Sequence, residues 1–180
     1  VSVTDDEGRH APVKIQLLGH DSRLGPGVDP RGLLYSLRLG EHVRPTAFDG
    51  SDRYLENAWW TVDGRLQAQV KPGTYDLVIT RGPEFEITSQ TITVKAGELA
   101  EVQTHLTRAY TTDGWIAGDF HIHSQPSTDS GTPIPERVAS CAAEGLEVAV
   151  ATDHNYITDY APVIASTGLD PWLLGIPGME

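Results

Sequence analysis

Basic residues are scarce in this chain. Its 180 residues carry 13 Lys and Arg against 25 Asp and Glu, a formal net charge of −12. There is no Lys/Arg-rich run, and an acidic surface repels phosphate backbones, so duplex DNA or RNA is excluded as a partner of the surface at large. A small phosphorylated molecule stays admissible, because bound cations would supply positive charge locally. Cysteine is nearly absent. The single Cys141 excludes an intrachain disulfide, and within Val138-Ala139-Ser140-Cys141-Ala142-Ala143 it reads as a buried packing residue. A lack of disulfides fits the cytosol and is compatible with the periplasm. No apolar run approaches the roughly 18 residues of a membrane-spanning helix. No leader-like segment is visible, the first residue is not Met, and Val1-Ser2-Val3 already reads as a strand. The start is therefore expected upstream, and localisation is open between cytoplasm and periplasm or exterior.

What is present is a 39% apolar share, enough for a packed core and too much for a disordered chain. The length holds one large domain or two small ones. The first hundred or so residues read as all-β. Val13–Leu17 alternates apolar and polar, as a half-buried strand does. Trp59–Val62, Asp63-Gly64 and Arg65–Val70 predict a hairpin on an Asp-Gly turn. Thr74–Thr80, Phe85–Val94 and Leu99–Leu106 predict further strands, which together suggest a small sandwich. Asp21–Asn57 is rich in Gly, Pro and charge and is expected to be a long loop with one short strand at Leu33–Leu39. Tyr54, Trp59 and Trp60 read as packed strand residues. If exposed, they would line a docking surface.

From about Asp113 the pattern changes. Trp115–His123 predicts a strand, and Pro133–Glu144 a helix with Thr132 as N-cap and Gly145 just past its end. Leu146–Ala151 predicts a buried strand, Thr158–Thr167 a short helix ended by Gly168, and Trp172–Ile176 a third strand. This alternation is the opening of a parallel α/β unit, where sites lie at the C-terminal ends of strands. His121 and His123 lie at such an end, His154 just beyond the second, and Glu180 just beyond the third. Residues i and i+2 of a strand share a face. That places Asp119, His121 and His123 together, with Ile116, Phe120 and Ile122 on the opposite face for helix packing. Imidazoles and carboxylates in one place suit zinc, manganese or iron.

Gly118-Asp119-Phe120-His121-Ile122-His123-Ser124, Ala151-Thr152-Asp153-His154-Asn155 and Gly178-Met179-Glu180 resemble the first three motifs of the PHP (polymerase and histidinol phosphatase) metallohydrolases. The closest look is to their CehA/McbA branch. Pro72-Gly73-Thr74-Tyr75-Asp76-Leu77 and Arg81-Gly82-Pro83-Glu84-Phe85 are similar to the carboxypeptidase-regulatory-like β-sandwich that precedes such domains. The resemblance implies a mixed fold: an all-β sandwich over residues 1–110, then over 111–180 the first part of a distorted β/α barrel. It implies two or three divalent ions in the full-length protein. His121 and His123 would hold one ion, Glu180 would bridge to a second, and His154 with Asp129 would serve a third. Asp119 and Asp153 would orient these ligands from outside, and Ser124 would make backbone hydrogen bonds rather than act as a nucleophile. The implied activity is hydrolysis by a metal-activated water, with a phosphoester of a small molecule as first choice. Carbamate or amide hydrolysis, or a non-catalytic sandwich that docks to a partner or polymer, are the alternatives. The family's later motifs do not occur, so the rest of the barrel is expected from a longer chain or a second chain, and these 180 residues alone are expected to be incomplete or inactive.

Overall fold

The computed structural model describes residues 1–20 and 53–180. The fold is mixed and strand-rich, with three sheets among the described residues. Strands β1 (Ser2–Thr4), β2 (Val13–His20), β3 (Arg53–Thr61), β4 (Gly73–Thr80), β5 (Thr88–Val94) and β6 (Gln103–His105) come first. After them come β7 (Gly118–Ile122), α1 (Ile134–Ala143), β8 (Val148–Ala151), α2 (Ala161–Thr167) and β9 (Leu174–Ile176). An antiparallel sheet runs β3-β2-β4-β5, and β1 pairs with β6 in parallel. Val13, Ile15 and Leu17 from β2 and Tyr75, Leu77 and Ile79 from β4 bury one face of that sheet against Val3, Val102 and Leu106. The alternation read in Val13–Leu17 thus becomes a core face.

The expected hairpin at Asp63-Gly64 does not form. Its two-residue turn needs positive φ at both positions, and among described residues only Asn155 has positive φ without being glycine. Gly64 alone turns the chain, at φ 67°. The chain then runs to β1: the Val3 N–H donates to Gly64 O at 2.9 Å and the Leu66 N–H to Val1 O at 3.0 Å. Strand β3 pairs with β2 instead. Phe85 forms only a bridge to Arg108, so β5 starts later than expected, and Leu99 is exposed ahead of a much shorter β6. Of the expected loop, Arg53–Asn57 belong to β3. The rest, including Leu33–Leu39, lies outside the described residues.

The third sheet is parallel, β7-β8-β9, with both helices packed on one face. Thr132 is not the N-cap of α1. Pro133 holds that position in extended geometry (φ −56°, ψ 144°), and the Thr132 hydroxyl accepts from Arg137 at 3.0 Å. Pro135 and Glu136 suit the first turn by fixed φ and by dipole. Helix α2 starts later than Thr158, whose hydroxyl is drawn to the Asp153 carboxylate, and it ends as expected at left-handed Gly168.

The faces of β7 also differ from the simple alternation. Asp119 pairs with Ala149 but Ile122 pairs with Ala151, so β7 holds one extra residue between them. This bulge flips the strand's parity. Ile122 joins the core under the helices, whereas Phe120 lies 70% exposed and Ile116 72% exposed. Phe120 does not pack under a helix as expected. Its ring lies over Gly118, where an added Cβ would come within 3.2 Å of it.

Two contacts, one buried and one partly exposed, join the antiparallel sheet to the helix-bearing unit. Arg81, only 6% exposed, donates to Pro12 O at 2.6 Å and to Ala142 O near the end of α1 at 3.1 Å. Its guanidinium stacks over Trp172, 4.5 Å from the ring centre. Glu144 receives the Trp60 indole N–H at 3.2 Å and the Lys14 ammonium at 3.0 Å.

Candidate metal centre

Strands β7, β8 and β9 are parallel, so their C-terminal ends open on one edge of the sheet. His121 is the fourth residue of β7 and His123 directly follows the strand. His154 lies three residues past β8, and Glu180 four past β9. The last residues are zipped to the loop after β8. Thr158 bridges Gly178, and the Asn155 N–H donates to Glu180 O at 2.9 Å. This zip carries Glu180 to the histidines.

The side chains converge. Glu180 Oε2 lies 3.0 Å from His121 Nε2, 2.9 Å from His123 Nε2 and 3.6 Å from His154 Nδ1. Asp129 sets both oxygens on His123 Nδ1, at 2.8 and 3.0 Å, and its Oδ2 is 3.4 Å from His154 Nε2. Two sets of potential ligand atoms result, His121–His123–Glu180 and His123–Asp129–His154, each within 4.8 Å. All five residues expected as ligands are therefore brought together.

Hydrogen bonds from Ser127 and His123 hold the Asp129 carboxyl down at about 2. The same Asp129 carboxylate raises the His123 imidazole. Partial burial pushes Glu180 up, but its bond to His121 and the nearby imidazoles outweigh this and bring it below the usual range. Both carboxylates are thus anionic at neutral pH, as cation ligands must be.

A metal ion fits this donor set on the structure's own terms. His123 Nε2 is buried and has no hydrogen bond; its approach to Glu180 is close but badly angled. A buried donor atom without a partner calls for a ligand. Tetrahedral zinc with bonds of about 2.0–2.1 Å brings its ligand atoms to spacings near those seen here.

Asp119 stays outside the cluster and accepts the His121 N–H at 3.0 Å. Asp153 is fully buried. Burial pushes its carboxyl up, and bonds from Thr158 and Ser124 more than offset this, leaving it lowered. It accepts the Ser124 N–H at 2.5 Å and the Ser124 hydroxyl at 2.9 Å. That arrangement ties the loop after β7 to the loop after β8, and it uses Ser124 as a structural donor. Sequence reading missed Ser127 and Thr158. Ser127 is two residues before Asp129, the spacing of a local side-chain turn, and that was the available signal.

No protein-family profile matches the chain, and no curated protein matches it.

Proposed function

We propose that this chain carries metal-ligand residues of a PHP-type metal-dependent hydrolase, with a phosphoester of a small molecule as substrate. In this reading residues 1–110 are a carboxypeptidase-regulatory-like β-sandwich, and 111–180 are the opening strands of a β/α barrel. The order of parallel strands and helices from β7 to β9, with helices on one face, supports the second assignment. One observation carries the functional reading. Donor atoms from the end of β7 and the segments after β8 and β9 form two sets, each within 4.8 Å, that share His123 with its buried nitrogen lacking a hydrogen bond.

His121, His123 and Glu180 would hold one divalent ion, zinc, manganese or iron, and His154 with Asp129 a further one. Bound there, such an ion supplies Lewis acidity and lowers the pKa of a coordinated water to about 7. Asp129 orients the His123 ring, and Asp153 keeps the two ligand loops in register. Carboxylates behind metal-bound histidines do this generally. His121 and Glu180 are exposed enough for a small molecule to approach from solvent. A phosphoryl group at this cluster would find positive charge in the ions that these five residues hold.

Zinc and manganese titration by calorimetry, with metal content by mass spectrometry, tests the ligand set. Binding is expected in the parent chain and its loss in His121→Ala and His123→Ala. Unchanged metal content in both variants would falsify the assignment. Release of p-nitrophenol from its phosphate ester by a metal-loaded form with the barrel complete, absent when it carries His121→Ala or His123→Ala, tests the hydrolase reading.

A further inference from the structure

The two potential ligand sets share His123, and one imidazole gives a lone pair through only one nitrogen while the other carries a proton. A nearby hydroxyl bears on this choice. Ser127 is 4% exposed and its oxygen has three partners, the most distant being His123 Nδ1 at 3.5 Å. It donates to Asp129 Oδ1 at 2.6 Å and accepts the His154 N–H at 3.1 Å. Asp129 Oδ1, pinned in this way, also faces His123 Nδ1 at 2.8 Å, while Oδ2 lies between that nitrogen, at 3.0 Å, and His154 Nε2, at 3.4 Å. The carboxylate on Nδ1 selects the tautomer protonated there and turns the lone pair of Nε2 toward His121 and Glu180.

We propose that Ser127 is a positioning residue that divides Asp129 between two neighbouring sites: Oδ1 serves the Nδ1–H of His123, and Oδ2 faces the ion position of His154. The inference rests on the metal-site reading above. It removes the conflict between the two sets, because His123 then belongs to the His121–Glu180 ion alone. Without the hydroxyl, Asp129 is free to turn both oxygens to His154, and His123 loses its preferred tautomer.

The test is zinc titration of the parent chain, Ser127→Ala and Ser127→Thr, with 15N shifts of the His123 ring recorded in the zinc-loaded forms. Ser127→Ala is expected to bind zinc about tenfold more weakly, the scale seen when a partner behind a metal ligand is lost. Its His123 ring shifts should move from an Nε2-bound pattern to a mixture. Ser127→Thr, which keeps the hydroxyl, should retain affinity and tautomer. If the alanine variant does not fold, Ser127→Val, which has the shape of threonine without the hydroxyl, should show the same loss. Parent-like affinity and ring shifts in a folded Ser127→Ala or Ser127→Val would overturn the inference while leaving the metal site standing. A parent chain that takes up no zinc would instead remove the metal reading, and this inference with it.

Discussion

Gly82 lies where the antiparallel sheet meets the end of α1, and replacing it by alanine probes that seam. Gly82 has φ 66°, and a Cβ added there would lie 2.0 Å from Glu144 O and 2.8 Å from Glu144 C. Both are backbone atoms, so no rotamer change relieves the clash. The left-handed conformation alone costs a residue with a Cβ about 1–2 kcal/mol. Moving Glu144 away also strains the Arg81 bond to Ala142 O and the Trp60 and Lys14 contacts to the Glu144 carboxylate. A lost hydrogen bond from a charged group is worth about 1.5–3 kcal/mol. The sum for Gly82→Ala is about 2.5–5 kcal/mol, a large part of the roughly 5–15 kcal/mol of an ordinary domain. Gly97 supplies the control, since its φ is 75° and nothing lies within 4 Å of its added Cβ. Gly97→Ala should cost only the conformational part, about 1–2 kcal/mol. Urea unfolding followed by tryptophan fluorescence measures both, with Trp60 and Trp172 reporting from the seam itself. A fall in the slope as well as the midpoint for Gly82→Ala would show the two units unfolding separately. Equal costs for the two alanine variants would refute the argument, because the seam would then tolerate the added carbon.

Two further outcomes are expected. Asp5 is buried and accepts the Glu7 N–H at 3.0 Å, the Arg9 N–H at 2.9 Å and Arg9 Nε at 2.9 Å. Burial pushes its carboxyl up, but the Arg9 and Glu7 bonds prevail and its pKa falls below 3.8. Its stabilisation is therefore complete above that value and is lost as pH falls through the lower folded pKa. Asp5→Asn should cost about 1–2 kcal/mol at pH 7 and progressively less on acidification; a cost independent of pH in thermal melts would contradict the assignment. The Cys141 thiol is 6% exposed and burial raises it to about 11. Ellman's reagent at pH 8 should label it only after denaturant is added, and rapid labelling of the folded chain would mean α1 is not packed as described.

The site was legible in the sequence to the extent that its parts are local. Histidines two apart at a strand end, and a further His and Glu after later apolar runs, mark strand termini wherever the chain goes. The strand faces were not legible. Alternation assigned Phe120 to a helix-packed face, and the extra residue in β7 reversed this. A bulge belongs to the pairing of β7 with β8 and leaves no mark in β7 alone. The Asp63-Gly64 turn misled for a related reason: the dipeptide fits a hairpin, but Gly64 and Leu66 hydrogen-bond to Val3 and Val1, more than sixty residues away.

By itself the sequence determined which residues bring metal-competent chemistry and in what order they follow the strands, because residue type and spacing along one strand are local properties. Only the tertiary structure decided that Ser127 ties Asp129 to the backbone of His154, that buried Asp153 holds the two loops together, and that Arg81 and Gly82 join the two units. Each of those facts is a meeting of segments far apart in the chain, where burial and hydrogen-bond geometry, rather than residue type, fix the role.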